Sequence, residues 1–115
     1  MKKQTKWGQI SIDPQVFSDI SARAALGCFG VKGLAGGPLT ENAADMLKSS
    51  RLKKGVRLRF DEQETLFVEL HIIVENGVNI AVLCRNIISQ VTYQVSRLTG
   101  VQVGCVNVFV DGVAA

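Results

Sequence analysis

Alternation of apolar and polar residues predicts the strands of this chain. Apolar and polar residues alternate over residues 8–12 and again over residues 56–60, and a polar turn over residues 61–64 follows the second segment. The return strand then carries large aliphatic side chains on one face: Leu66, Val68, Leu70, Ile72 and Val74. This pattern is typical of a β-hairpin with one face in a hydrophobic core. Two further strands are predicted, near residues 29–34 and over residues 101–110 with a bend at Gly104.

Apolar residues at helical spacing predict two main helices. Asp13-Pro14 is a helix start signal, since aspartate caps free backbone N–H groups and proline fits the first turn. The stripe predicted to face the core in this first helix comprises Val16, Phe17, Ile20 and Ala24, with Ser18, Asp19 and Ala22 off it. Gly27 is predicted to end the helix.

The second main helix follows Gly77 and ends at Gly100, and its apolar arc is the widest in the chain. The arc comprises Ile80, Leu83, Cys84, Ile87, Ile88, Val91, Val95 and Leu98. A short helix is also predicted after Thr40, with Ala43, Met46 and Leu47 on one face.

These elements predict an α+β fold, a two-layer sandwich with a small mixed β-sheet and two main helices on one face. With 115 residues the chain has room for one core. We expect a single domain over residues 8–113, a flexible N-terminal tail over residues 1–7 and a C-terminal tail over residues 114–115.

Composition narrows the class of protein. The chain is 47% hydrophobic and 20% charged, which excludes a disordered polymer. Its longest uncharged segment, residues 98–110, is too short and polar to span a bilayer, and no signal peptide is apparent. Cys28, Cys84 and Cys105 have no metal-ligand spacing and are interpreted as buried reduced thiols. We therefore expect a cytoplasmic protein.

Residues for catalysis are scarce. The single histidine, His71, lies in mid-strand with Glu69 on the same face, and no serine or cysteine is placed for activation by it. We interpret His71 as a half-exposed sheet residue and expect His71→Gln to leave the fold unchanged. The chain has neither a metal-ligand set nor a phosphate-binding glycine loop, so we predict a non-enzyme with no catalytic residue, cofactor or metal.

Two surfaces are candidates for binding. The first is a basic patch without intervening acids: Lys48, Arg51, Lys53, Lys54, Arg57 and Arg59. Together with the G-x-x-G segment at residues 30–33 it suggests, as an alternative function, a small KH-like nucleic-acid-binding module. No aromatic platform accompanies the patch, so a solvated loop is favoured over a nucleic-acid site. The second is the outer stripe of the long helix, a candidate partner surface: Val82, Asn86, Ser89 and Tyr93.

Five short segments resemble the alkaline shock protein family, the envelope stress response proteins of Gram-positive bacteria. They are Gly8-Gln9-Ile10-Ser11-Ile12, Gly30-Val31-Lys32-Gly33-Leu34, Gly77-Val78-Asn79-Ile80, Leu98-Thr99-Gly100-Val101 and Val106-Asn107-Val108-Phe109-Val110-Asp111-Gly112-Val113. The resemblance covers about residues 8–113.

The resemblance implies a non-enzymatic scaffold or adaptor in cell-envelope homeostasis and stress response. Such a protein acts by protein–protein contact at the inner face of the cell membrane, through a membrane-anchored protein partner. Self-association into a homo-oligomer is a further expectation, whereas nucleic acid is not expected as a partner.

Overall fold

The computed structural model describes residues 1–35 and 55–115. In chain order the elements are β1 (Lys2–Thr5), β2 (Gly8–Ser11), α1 (Pro14–Leu26), β3 (Val31–Leu34), β4 (Val56–Phe60), β5 (Leu66–Glu75), α2 (Ile80–Thr99) and β6 (Val103–Ala114). The short helix predicted after Thr40 lies outside the described residues.

Strand β5 is the centre of the main sheet. One of its edges pairs antiparallel with β4 and then with β3, and its other edge pairs parallel with β6. The five aliphatic side chains predicted for its inner face are all buried: Leu66, Val68, Leu70, Ile72 and Val74. The predicted hairpin and the mixed α+β fold are therefore confirmed.

Both main helices cover this inner face. Helix α1 contacts α2, β3 and β4, and α2 contacts β6. The predicted ends hold: the Asp13 carboxylate accepts a hydrogen bond from the Gln15 N–H, and Gly27 caps the C-terminus of α1. Gly100 ends α2 in the left-handed conformation, with a φ of 75° that favours glycine.

The core faces of both helices differ from the predicted ones. In α1, Ser18 and Ala22 are buried although they were placed off the stripe, and Val16 is exposed. Helix α1 packs on α2 and on the sheet at the same time. Small side chains such as Ser18 and Ala22 therefore lie where α1 approaches these elements closely. In α2 the buried row is Leu83, Ile87, Val91 and Val95, one residue per turn, whereas Ile80, Ile88 and Leu98 of the wider predicted arc are exposed.

The chain ends carry more strand than expected. Lys2–Thr5, assigned to a flexible tail, form β1 and pair with β2, and β6 continues to Ala114. The bend predicted at Gly104 is a bulge: Leu66 pairs with Val103 and Phe67 pairs with Cys105, so Gly104 has no opposite residue. A Cβ atom at Gly104 would meet the Phe67 ring at 2.7 Å, which explains the glycine.

Two leucines of α2 test the observed helix phase. Leu83 is 4% exposed and Leu98 is 61% exposed, although both belong to the predicted arc. Leu83→Ala should lower the free energy of unfolding by about 2–5 kcal/mol, because it leaves a cavity in the core. Leu98→Ala should change it by less than about 0.5 kcal/mol. Urea denaturation of both variants checks this, and equal losses would contradict the helix phase.

Candidate functional site

A concave groove lies between α1 and α2. Its volume is about 730 Å³, and its lining is Ile20, Arg23, Ala24, Gly27, Cys28, Phe29, Asn86, Ser89, Gln90, Gln94 and Leu98. Amide and hydroxyl side chains of α2 form one wall, and small residues near the C-terminus of α1 form the other. The size falls in the range of ligand pockets, but the open, half-polar lining is more typical of a protein contact surface.

Two large apolar side chains stand exposed at this groove. Phe29, in the turn after α1, is 91% exposed, and Leu98, near the end of α2, is 61% exposed. Among the described residues of the lining, Arg23 is the charged one. The groove therefore offers two apolar anchors and one cationic group to a binding partner.

Only half of the predicted partner surface belongs to this groove. Val82, Asn86, Ser89 and Tyr93 are all exposed, as the sequence indicated. Asn86 and Ser89 line the groove, whereas Val82 and Tyr93 do not. Sequence analysis missed Phe29, because its exposure depends on how the turn after α1 leaves the core.

The basic patch is described only in part. Lys48, Arg51, Lys53 and Lys54 lie outside the described residues. Arg57 and Arg59 are exposed on β4, and the Arg59 guanidinium stacks over the Phe67 ring at 4.4 Å. This cation–π contact fixes Arg59 against its own sheet.

The G-x-x-G segment does not form a KH-type clamp. Gly30 makes the turn from α1 into β3 with a φ of 103°, and a Cβ atom there would meet Val78 at 3.0 Å. Gly33 lies within β3, paired with Ile73 of β5, and Lys32 is the bulged residue before it. A KH clamp requires the segment between two consecutive helices, so the local fold does not support that alternative.

The cysteines fit the thiol interpretation only partly. Cys28 and Cys84 are half-buried, and burial raises the pKa of each thiol. Both therefore stay protonated at neutral pH and are poor nucleophiles. Cys105 was expected to be buried but is exposed, because strand alternation places it opposite Phe67 on the outer face of the sheet.

His71 occupies a cluster on this outer face, away from the core. Its Nε2 atom lies 2.7 Å from Glu69 Oε2, and its Nδ1 atom lies 2.9 Å from Asp111 Oδ2. The imidazole also stacks on the Phe109 ring, with centroids 4.8 Å apart. Asp111 is a second bulge of β6, since Ile72 pairs with Val110 and Ile73 with Gly112. The sequence placed Glu69 on the same face as His71, but Asp111 and Phe109 gave no sequence signal.

This geometry favours a charged imidazole over a catalytic one. Each ring nitrogen faces a carboxylate oxygen, so both contacts are hydrogen bonds only when both nitrogens carry protons. The hydrogen bond to Glu69 is the main cause that raises the His71 pKa, and Asp111 adds to it while burial opposes it. With both nitrogens engaged, His71 has no free nitrogen to accept a proton from a nucleophile. Within residues 1–35 and 55–115, no group of side chains is suited to hold a metal ion.

The His71 cluster predicts a pH-dependent stability. A pKa raised in the folded state stabilises the fold below the unfolded value of about 6.5, and this contribution is lost as pH rises through the folded-state pKa. The difference in free energy of unfolding between the unsubstituted chain and His71→Gln should therefore shrink from acid to alkaline pH. This replaces the expectation that His71→Gln leaves the fold unchanged.

Proton NMR can follow this titration directly, because the chain has one histidine. Asp111→Asn and Glu69→Gln should each lower the His71 pKa, and Glu62→Gln, in the exposed turn before β5, should leave it unchanged. A stability difference that grows with pH would contradict the assignment.

Comparison with known proteins identifies the family. The chain is 32% identical over 111 residues to the uncharacterized protein YloU of Bacillus subtilis, covering 96% of this chain and 92% of that protein. It is 28% identical over 108 residues to the uncharacterized protein Spy1535 of Streptococcus pyogenes, covering 94% and 81% of the two chains. No solved structure matches it. Among the described residues, neither helix has the length and apolarity needed to cross a membrane. The model of the alkaline shock protein 23 family, described as having a cell envelope-related function, matches residues 2–115, and the chain belongs to this family.

Proposed function

We propose that this protein is a non-enzymatic scaffold or adaptor of the cell envelope, which binds a protein partner through the groove between α1 and α2. The main support for this proposal is the pair of exposed apolar side chains at the groove, Phe29 and Leu98. Large apolar side chains beside a concave surface are typical anchors of protein interfaces. The membership of a family with a cell envelope-related function supports the cellular setting.

The groove also suggests the chemistry of the partner. Arg23 supplies positive charge, and no acid is among the lining residues within residues 1–35 and 55–115. A complementary segment therefore carries apolar side chains for Phe29 and Leu98 and a carboxylate for Arg23. Asn86 and Gln90, one turn apart on α2, can hydrogen-bond to the backbone of that segment. We infer that the segment belongs to a membrane-anchored protein, with this chain on the cytoplasmic side.

A non-enzymatic role agrees with the chemistry of the described side chains. The His71 imidazole is engaged at both ring nitrogens by carboxylates. The thiols of Cys28 and Cys84 have raised pKa values, which disfavours the nucleophilic thiolate. Binding without chemical conversion therefore accounts for the exposed groove better than catalysis does.

Sedimentation with cell membranes tests this function. Phe29→Asp with Leu98→Asp should reduce binding to membranes by about 30-fold or more, since loss of interface anchors typically costs at least about 2 kcal/mol. Val82→Asp with Tyr93→Asp, beside the groove, should have a smaller effect. Val113→Asp, an exposed valine on β6, is the matched control and should bind normally.

Protease treatment of the membranes before mixing should lower binding of the unsubstituted chain to the level of the Phe29→Asp with Leu98→Asp variant, because the proposed partner of the groove is a protein. Equal binding by the groove variant and the Val113 control would contradict the proposal, as would full binding to protease-treated membranes. Size-exclusion chromatography of the same variants shows whether the occupant of the groove is instead a second copy of the chain.

A further inference from the structure

Strands β1 and β2 form a two-stranded hairpin separate from the main sheet. At its base the Ile12 N–H donates to the Met1 carbonyl at 2.8 Å, and the Met1 amine donates to the Ile12 carbonyl at 3.1 Å. The side chains of Met1 and Ile12 pack against the core, whereas every residue from 2 to 11 except Thr5 is exposed. The hairpin is therefore anchored at its base and open to solvent along its length.

The apex of the hairpin presents an indole ring to solvent. Thr5 pairs with Gly8, which leaves Lys6 and Trp7 as the two turn residues. The Thr5 hydroxyl donates to the Gly8 carbonyl at 2.8 Å and accepts the Trp7 N–H at 3.3 Å, which fixes the turn. Trp7 is 88% exposed. An ordered turn thus holds the largest side chain of the protein away from its own core.

The hairpin also carries three positive charges, on β1 and at its apex. Lys2 and Lys3 lie on successive positions of β1, and therefore on opposite faces, and Lys6 lies at the apex. The Lys6 ammonium is 5.2 Å from the centre of the Trp7 ring. The first acidic residue of the chain is Asp13, beyond the hairpin. Lys6 therefore places positive charge beside the indole, Lys2 and Lys3 add charge nearer the base of the hairpin, and no carboxylate of the hairpin offsets it.

We propose that this hairpin apex is a contact site for an anionic phospholipid surface. Trp7 inserts at the level of the lipid headgroups, where its apolar ring and its N–H are both accommodated. The three lysines bind the lipid phosphates. This inference does not rest on the groove function, because it uses different residues and a different ligand.

The shape of the hairpin favours a bilayer over nucleic acid. Single-stranded nucleic acid is bound in a charged groove where several aromatic rings stack on successive bases. The hairpin has one aromatic ring, and that ring lies at a convex apex. A convex apex can enter a flat, deformable lipid interface without a matching cavity.

The fluorescence of Trp7 tests the proposal directly, because the chain has one tryptophan. Vesicles of phosphatidylcholine with phosphatidylglycerol should shift the emission to shorter wavelength and protect the ring from acrylamide quenching. Vesicles of phosphatidylcholine alone should cause neither change, and added salt should reverse both. Because these vesicles contain no protein, failure of the groove proposal does not affect the outcome.

Vesicle sedimentation of variants separates the contribution of the lysine charges from that of the Trp7 indole. Lys2→Gln with Lys3→Gln and Lys6→Gln should lower partitioning onto anionic vesicles by about 100-fold, at about fivefold per lysine. The control Arg57→Gln with Arg85→Gln and Arg97→Gln removes the same charge from exposed sites on β4 and α2 and should have a much smaller effect. Trp7→Ala should lower partitioning by about tenfold. Phe29→Ala removes another exposed aromatic ring and should leave it unchanged.

Three results would overturn the proposal. The first is an unchanged Trp7 spectrum on anionic vesicles that nevertheless bind the protein. The second is equal loss of binding in the lysine and arginine triple variants, which would indicate a general charge effect. The third is an equal or larger spectral shift with duplex DNA or single-stranded RNA at matched phosphate concentration, which would indicate a nucleic-acid site. Thermal melts of all variants should match that of the unsubstituted chain.

Discussion

Burial of one face of β5 is the constraint on which the rest of the structure depends. This strand pairs with β3, β4 and β6, and its inner aliphatic side chains fill the space under both helices. Because side chains alternate across a strand, the same constraint sends Phe67, Glu69, His71 and Ile73 to the other face. The charged cluster at His71 therefore lies outside the core because the alternation that buries one face of β5 exposes the other.

Sequence patterns correctly predicted the elements that depend on a single local signal, such as strand alternation or a helix cap. The hairpin of β4 and β5 has a strict alternation, and the Asp13 and Gly100 caps have local chemical causes, so all are found where expected. The buried face of α1 was not predictable in the same way. Its contacts with α2 and with the sheet require close approach, and small residues such as Ser18 and Ala22 satisfy this while contributing little to an apolar stripe.

The candidate sites were harder to predict because they join distant parts of the chain. His71 and Asp111 are 40 positions apart, and they meet because β6 pairs with β5 beside His71, with Asp111 as a bulged residue of β6. The groove likewise joins Phe29 to Leu98, which share no periodic pattern. Helical spacing identified Asn86 and Ser89 as exposed, but only the packing of α1 on α2 shows that they form a wall.

Helix α1 connects the two proposed contact regions and separates them. The hairpin ends just before Pro14, and Phe29 follows shortly after Leu26. Thirteen helical residues span about 20 Å, which exceeds the distance over which substitutions usually interact energetically. Substitutions in a lipid contact at one end of α1 would thus not change the affinity of a protein contact at the other end. The same rigid helix nevertheless connects the two contacts. Their effects on membrane retention would then multiply, because the second contact forms at the high effective concentration set by the first.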